Sequence, residues 1–200
     1  MGEAKRRGKE IDELKKQAAM WRESLSPDER TILQLAERLD ERLIRGLKFS
    51  EGCYHLAFFM TKYLANHGIT VTPTIGWVND GTWQGMTSHG WIEYKGKKTD
   101  ISLGCTSNPD AQPIGSMIVL DRVLRKGTAD YTYYENDAPK VAVGLKYMRS
   151  NPDLDDVLAH KEAEHATMIE IAGGGPKAID DYLSRAPQGL KYDDLVRIVD

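Results

Sequence analysis

The hydrophobic period of the chain changes twice, and this change limits the fold more than any other feature of the sequence. Between residues 26 and 67, apolar residues recur about every 3.6 positions, as they do on one face of a helix. From Ile69 to Tyr134 the period is close to two, and turn-forming residues separate the apolar runs. From Pro139 onward the helical period returns. Helices followed by strands and then by helices predict an α+β fold with an antiparallel sheet.

Two helices are expected before the first strand. The segment Ser26-Pro27-Asp28-Glu29 has the pattern of a capping box with proline at the first helical position, so it marks a helix start. The apolar stripe of this helix runs to Ile44. A second helix is expected to begin near Cys53 and to end at His67-Gly68. Its first turns are apolar on nearly every side, which predicts a buried helix.

Five strands are expected before the chain returns to helix. They comprise residues 69–78, 88–94, 97–103, 116–120 and 131–134. If Lys95-Gly96 is a two-residue turn, Trp91 falls opposite Asp100, and His89 lies on the same face of the sheet within reach of Asp100. A three-residue loop would move Asp100 to the opposite face. The register of this hairpin is therefore a direct test of the proposed pairing.

The periodic pattern also divides the chain into three parts. Residues 1–25 are expected to form a basic arm, helical or frayed, and residues 26–136 the core. Residues 137–200 are expected to form a helical extension packed on that core. Within this extension, His160 and His165 are five positions apart, and we interpret both as part of a solvated helix surface.

Composition excludes several classes of protein. Hydrophobic residues make up 40% of the 200 residues and charged residues 28%, which is typical of a globular domain. No apolar run reaches the roughly 18 residues of a membrane span, and the charged N-terminus lacks the apolar core of a secretory signal. Two cysteines do not make a disulfide framework. We therefore expect a cytoplasmic protein without a membrane partner, and the oligomeric state stays open.

Nucleic acid is not the expected partner either. The net charge is −3, and no basic stripe with interleaved aromatic residues runs through the chain. The arm Lys5-Arg6-Arg7-Gly8-Lys9 would suit RNA or another acidic partner, but a solvated terminus is the preferred interpretation.

Three side chains occur in an order that favours nucleophilic catalysis. Cys53 begins the buried helix, where the positive end of the helix dipole favours a thiolate. His89 stands on a later strand, where its imidazole would take the thiol proton and return it to a leaving group. Asp100, on the strand after that, would orient the ring and fix its tautomer. The sequence therefore predicts a Cys-His-Asp triad.

Five further residues are expected to surround this triad. Gly52 would let the backbone or a substrate approach the thiol closely. The first backbone N–H of the helix is a candidate oxyanion donor, and Tyr54, Trp77 and Ser88 are candidates for the second donor. Trp91 would stand beside the imidazole and carboxylate and keep water away from their hydrogen bond.

The segments that hold these residues resemble the core of transglutaminase-like proteins, a superfamily of papain-like fold. The matching segments are residues 52–57, 68–71, 88–93 and 99–101. In that superfamily a Gly-Cys opens the central helix, a His-small-Trp-x-Glu strand supplies the base, and an aspartate follows on the next strand. The resemblance covers about residues 45–105 and implies Cys53 as nucleophile, His89 as base and Asp100 as orienting acid. Ile-Ser follows the aspartate here, where the superfamily more often has Pro-Thr.

Metal binding is the alternative use of these side chains. Cys53, His55, His89 and Cys105 are of the types that bind zinc, but they lack the short spacings that mark zinc sites. We therefore expect neither a metal nor an organic cofactor. Cys105 is interpreted as a free thiol, and His55 as a packing or capping residue.

Two functions remain after these exclusions. The first is a cysteine-dependent hydrolase or acyltransferase that acts on an amide bond of a peptide, a protein or a small molecule through a thioester. A peptidase, amidase or deamidase is preferred over a cross-linking transglutaminase, since nothing in the chain marks a site for an amine acceptor. The second is a non-catalytic transglutaminase-like protein that binds a protein or nucleic acid and keeps a vestigial triad.

Overall fold

A computed structural model gives the structure of residues 2–110 and 112–200, with the backbone alone for residues 2–5. Met1 and the side chain of Lys5, both in the expected basic arm, lie outside the described part of the chain. The α-helices of the described residues are α1 (Gly2–Ser24), α2 (Pro27–Arg38), α3 (Cys53–Asn66), α4 (Pro139–Arg149), α5 (Asp155–Gly173), α6 (Gly175–Ser184) and α7 (Tyr192–Val199). In the part of the chain that the structure describes, no helix combines the length and apolar character needed to cross a membrane.

Four strands form one antiparallel sheet, and two more form a separate hairpin. The strands are β1 (Thr72–Asn79), β2 (Thr87–Tyr94), β3 (Lys97–Thr99), β4 (Met117–Val119), β5 (Arg122–Arg125) and β6 (Thr132–Tyr134). The sheet has the order β3-β2-β1-β6, and β4 pairs with β5. The α+β class with an antiparallel sheet is confirmed. Strand β5 is missed by the sequence analysis because its two apolar residues stand between arginines.

The helix expected to run to Ile44 begins as predicted but changes its geometry partway. Ser26 and Glu29 form the reciprocal capping box, with Ser26 N–H donating to Glu29 Oε2 over 2.9 Å. After Arg38 the chain continues as a π-helical segment, Leu39–Arg45. Wider turns of this kind give the same apolar stripe over a short segment, so hydrophobic periodicity did not reveal the change.

The hairpin between β2 and β3 has the predicted register. Tyr94 pairs with Lys97, and φ is positive at both turn residues, 50° at Lys95 and 76° at Gly96. Positive φ at both central residues is the geometry that matches the twist of a two-residue hairpin. The prediction that depended on this turn length is confirmed, because Trp91 is placed opposite the residue that follows β3.

Strand β3 is shorter than predicted. The expected strand 97–103 ends at Thr99, Asp100 makes an isolated bridge to Ile118, and Ser102–Gly104 form a 3-10 turn. The cause is local, since the Ser102 N–H donates to Asp100 Oδ1 over 2.9 Å. A side-chain acceptor of this kind competes with the strand ladder for backbone donors.

Helix α3 lies across β2 so closely that β2 needs a glycine at the contact. A Cβ on Gly90 would stand 3.0 Å from Cδ1 of Tyr54 and 3.3 Å from Cδ1 of Ile75. The helix is buried as predicted, and Phe58 and Phe59 within it are completely buried. Helices α6 and α7 pack on α3 as well, so residues of the C-terminal part complete the core around it.

A buried carboxylate fixes the β4–β5 hairpin to the rest of the core. Asp40, on the π-helical segment, accepts two 2.5 Å hydrogen bonds from the guanidinium of Arg125 on β5. Arg45 donates to the same carboxylate over 2.8 Å. Two-point contact between Arg and a carboxylate is directional, so it sets the orientation of the hairpin that bridges to Asp100.

We expect Gly90→Val to destabilise the protein because the added methyl groups would push helix α3 away from β2. The free energy of unfolding should fall by about 1–3 kcal/mol, the usual cost of overpacking a filled core. Urea unfolding measures this change. Gly173→Ala is the matched control, because nothing lies within 4 Å of a Cβ at that position. Equal stability of Gly90→Val and wild type would contradict the close packing of α3 on β2.

Candidate active site

Cys53 is the first residue of helix α3. The first helical hydrogen bond runs from Leu56 N–H to the Gly52 carbonyl over 2.9 Å, so the N–H groups of residues 53–55 have no partner within the helix. A Cβ on Gly52 would collide with the ring of Phe49, so this contact also favours glycine before Cys53. The thiol is therefore placed at the helix end that favours negative charge.

His89 contacts Asp100 and lies near Cys53. Its Nε2 lies 2.7 Å from Asp100 Oδ2, and the side chain of Cys53 is close enough to affect the charge of the ring. Burial by itself would lower the pKa of His89. The charges of Asp100 and Cys53, with the hydrogen bond to Asp100, override burial and raise that pKa well above its ordinary value. Because Asp100 occupies Nε2, Nδ1 is the nitrogen left for the thiol.

Asp100 is almost completely buried, and its carboxylate is surrounded by donors. Tyr133 O–H donates to Oδ2 over 2.6 Å, and Ser102 donates to Oδ1 through both its N–H, over 2.9 Å, and its hydroxyl, over 2.8 Å. Burial would raise the pKa of Asp100, but the charge of His89 and these hydrogen bonds lower it below its ordinary range. The carboxylate is therefore held ionised against His89.

Aromatic rings enclose the pair formed by His89 and Asp100. The ring of Trp91 stacks beside His89 at 6.4 Å between centroids, and Trp91 contacts Tyr133 at 5.2 Å. Trp91 thus occupies the position beside the imidazole that the sequence predicted. Tyr133 comes from β6, which two strands separate from β3 in the sheet. The sequence placed it in a predicted strand but gave no sign of this contact.

Cys53 and His89 border a cleft of about 340 Å³, whereas Asp100 and Trp91 do not line it. Of the residues assigned from the sequence, the cleft is lined by Gly52, Cys53, Tyr54, Ser88 and His89.

Helix α5 supplies another wall of this cleft. Lys161 and Glu164 line it, joined by a 2.9 Å ion pair, and the sequence analysis assigned neither to the site. Cys105 lines the same cleft as a free thiol. His55 lies outside it, with its Nε2 2.7 Å from the Leu190 carbonyl, and burial lowers its pKa.

His165 is buried, so its assignment to a solvated helix surface is wrong. It is 6% exposed, whereas His160 is exposed as expected. The ring of His165 stacks on Trp77 at 4.3 Å between centroids. Leu158, which lies seven positions earlier and is also buried, marks the same face of α5. That spacing was the signal in the sequence that could have found it.

Trp77 does not line the cleft. It is packed in a small cluster with Met86 and Val141, behind Ser88. Trp77 is 4% exposed, and its position does not support the expected hydrogen bond from its indole to an oxyanion in the cleft.

A second hydrogen-bonded cluster lies beside the triad. Tyr54 Oη is 2.5 Å from Ser88 Oγ, and Ser88 Oγ bonds to Nδ1 of His165. His165 Nε2 lies 2.8 Å from Oδ1 of Asn136. Tyr54, Ser88, His165 and Asn136 therefore form one continuous chain, which ends at the cleft through Tyr54 and Ser88.

The thiol of Cys53, the imidazole of His89 and the carboxylate of Asp100 are the three groups that a thiol nucleophile with a base and an orienting acid requires. Among the described residues, no group of three or more His, Cys, Asp or Glu side chains is placed to hold a metal ion. Compared with family models, curated proteins and solved structures, the chain matches none of them.

We expect the burial of His165 to make the protein less stable in mild acid. Burial lowers the pKa of His165 from 6.5 to about 4 in the folded state. Between these values the unfolded state binds more protons than the folded state, so the free energy of unfolding falls as the pH falls. Urea unfolding of wild type and His165→Gln at pH 7 and pH 5 should show about 2 kcal/mol more loss in wild type.

His160→Gln is the control, because that ring is exposed on the same helix. It should lose as much stability on acidification as wild type does. An equal loss in wild type and His165→Gln would show that His165 titrates normally in the folded protein.

Proposed function

We propose that this protein is a cysteine-dependent hydrolase or acyltransferase that acts on an amide bond through a thioester, on a transglutaminase-like core of papain-like fold. The observation that carries the proposal is the buried 2.7 Å contact of His89 with Asp100, together with the position of Cys53 and His89 on the same cleft. A raised pKa at His89 keeps the ring protonated, and a protonated ring beside the thiol favours the thiolate.

The proposed reaction has two halves. The Cys53 thiolate attacks the carbonyl carbon of the amide and forms a C–S bond. His89 then gives its proton to the nitrogen as the C–N bond breaks, so an amine leaves and a thioester remains. Water attacks the thioester while His89 takes its proton, and the acid is released as the thiolate is restored. Asp100 holds the ring in one orientation throughout.

The backbone at the start of α3 supports the charged intermediate. The N–H groups of the first turn have no helical acceptor and point to the end of the helix where Cys53 lies. An oxyanion formed at the attacked carbonyl would receive a hydrogen bond from the Cys53 N–H.

Hydrolysis is preferred to cross-linking. Water alone resolves the thioester in hydrolysis, whereas cross-linking also needs a bound amine. We therefore place the protein with peptidases, amidases or deamidases, and expect a peptide, protein or small amide as its substrate.

Alkylation of the two cysteines against pH tests the ion pair without a known substrate. We expect iodoacetamide at pH 6 to modify Cys53 at least tenfold faster than Cys105, because the His89 imidazole, held by Asp100, can take up the proton of the thiol beside it. Peptide mass spectrometry separates the two sites. His89→Ala should remove the advantage, and Asp100→Asn should reduce it by weakening the hold on the ring.

Equal rates at the two cysteines, unchanged by His89→Ala, would contradict the proposal. A non-catalytic binding protein with a vestigial triad would then be the better account.

Acylation by p-nitrophenyl acetate tests the thioester step. We expect one acetyl group on Cys53, released by hydroxylamine, because a thioester is the proposed intermediate. Cys53→Ala should lose this adduct and Cys105→Ser should keep it. Intact-protein mass spectrometry after acid quenching detects the adduct, and its absence from wild type would count against acyl transfer.

A further inference from the structure

Each hydrogen bond in the chain beside the triad has a fixed donor and a fixed acceptor. Asn136, at one end of the chain, sets this assignment. The Nδ2 group of Asn136 donates to the Ile75 carbonyl over 3.0 Å. This contact fixes which way the amide faces, because only the NH2 end has hydrogens to donate. Oδ1 of Asn136 therefore points to His165 as an acceptor, and His165 Nε2 must carry the hydrogen between them.

The position of the hydrogen on His165 in turn determines which atom donates in its hydrogen bond with Ser88. The ring is buried, and burial is what lowers its pKa to about 4, so it is neutral at pH 7. A neutral imidazole with a hydrogen on Nε2 has only a lone pair on Nδ1. Ser88 Oγ, which bonds to Nδ1, must therefore donate its own hydrogen to His165.

Tyr54 is the last member of the chain. Since the hydrogen of Ser88 is used, Tyr54 must donate its hydroxyl hydrogen to Ser88 Oγ, over 2.5 Å. In the described part of the chain, Ser88 is the one hydrogen-bond partner of Tyr54 Oη. The oxygen of Tyr54 is left with lone pairs only, on a residue that lines the cleft beside Cys53.

We propose that Tyr54 Oη is a binding residue that accepts a hydrogen bond from a substrate N–H, and that Ser88, His165 and Asn136 are positioning residues that hold it as an acceptor. The inference rests on the proposed function and narrows its substrate class. The substrate is an amide that keeps an N–H on the scissile nitrogen, either a primary carboxamide or a secondary amide. An ester has an oxygen in place of this N–H. The lone pairs of that oxygen would face and repel the lone pairs of Tyr54 Oη.

The same assignment of donors and acceptors excludes two of the candidate hydrogen-bond donors to the oxyanion. Neither Tyr54 nor Ser88 has a hydrogen free for an oxyanion, although both were candidate donors from the sequence. The proposal therefore gives the two hydroxyl groups a different task, the selection of the leaving group.

An isosteric pair of alkylating probes measures this selection without a known substrate. N-methyliodoacetamide and methyl iodoacetate have the same shape and differ by N–H against O. The rate ratio of amide to ester at Cys53 is divided by the same ratio for glutathione. The measurement is made at pH 8.5, where an ordinary thiol also reacts.

We expect the normalised ratio in wild type to exceed one, and Tyr54→Phe to lower it about three- to tenfold, the effect of one neutral hydrogen bond. Ser88→Ala should also lower it, because Tyr54 then has no acceptor and its hydroxyl can turn outward as a donor. Tyr63→Phe is the matched control, since it removes a hydroxyl on the same helix that bonds to Asp200, over 2.9 Å. The control should keep the wild-type ratio.

Each other outcome overturns part or all of the inference. A wild-type ratio of one, or an unchanged ratio in Tyr54→Phe, shows that Tyr54 accepts no N–H. A ratio that falls in Tyr54→Phe but not in Ser88→Ala removes the positioning role of the chain. A wild-type ratio of one overturns the inference without any substitution, so the inference can be refuted even where a variant fails to fold. Failure of the proposed function is separate, because it shows as a reactivity at pH 6 that does not depend on His89.

Discussion

The contact between His89 and Asp100 is the constraint on which the rest of the structure depends. Both side chains are 3% exposed, and two charges taken out of water cost several kcal/mol each unless hydrogen bonds and their mutual attraction compensate. The structure supplies that compensation through Tyr133, Ser102 and the thiol of Cys53. Strand β6, the 3-10 turn after β3 and the start of α3 are thus all held in place around one ion pair.

Two histidines on opposite sides of strand β2 have opposite electrical environments because of the strand between them. Ser88 and His89 are neighbours on β2, so their side chains leave the sheet on opposite faces. On one face, charged partners raise the pKa of His89; on the other, His165 meets a hydroxyl, an amide and an indole, and burial lowers its pKa. One strand therefore separates a group that carries charge from a group that stays neutral.

The parts of the fold that the sequence predicted are those set by local chemistry. The capping box at Ser26, the turn at Lys95-Gly96 and the buried face of α3 each depend on residues a few positions apart. The features that the sequence did not predict depend on contacts between residues that are far apart along the chain. The roles of Tyr133 and His165 are fixed by partners 33 and 77 residues away, and no pattern within a short segment encodes such contacts.

The position of α5 has a consequence for the order in which the protein is made. Cys53 and His89 belong to the first half of the chain, but one wall of the cleft and the hydrogen-bond partner of Ser88 come from residues 161–165. During synthesis, a nascent chain in which Cys53 has already emerged from the ribosome still lacks this wall of the cleft. Maturation of the cleft must wait until translation has passed His165.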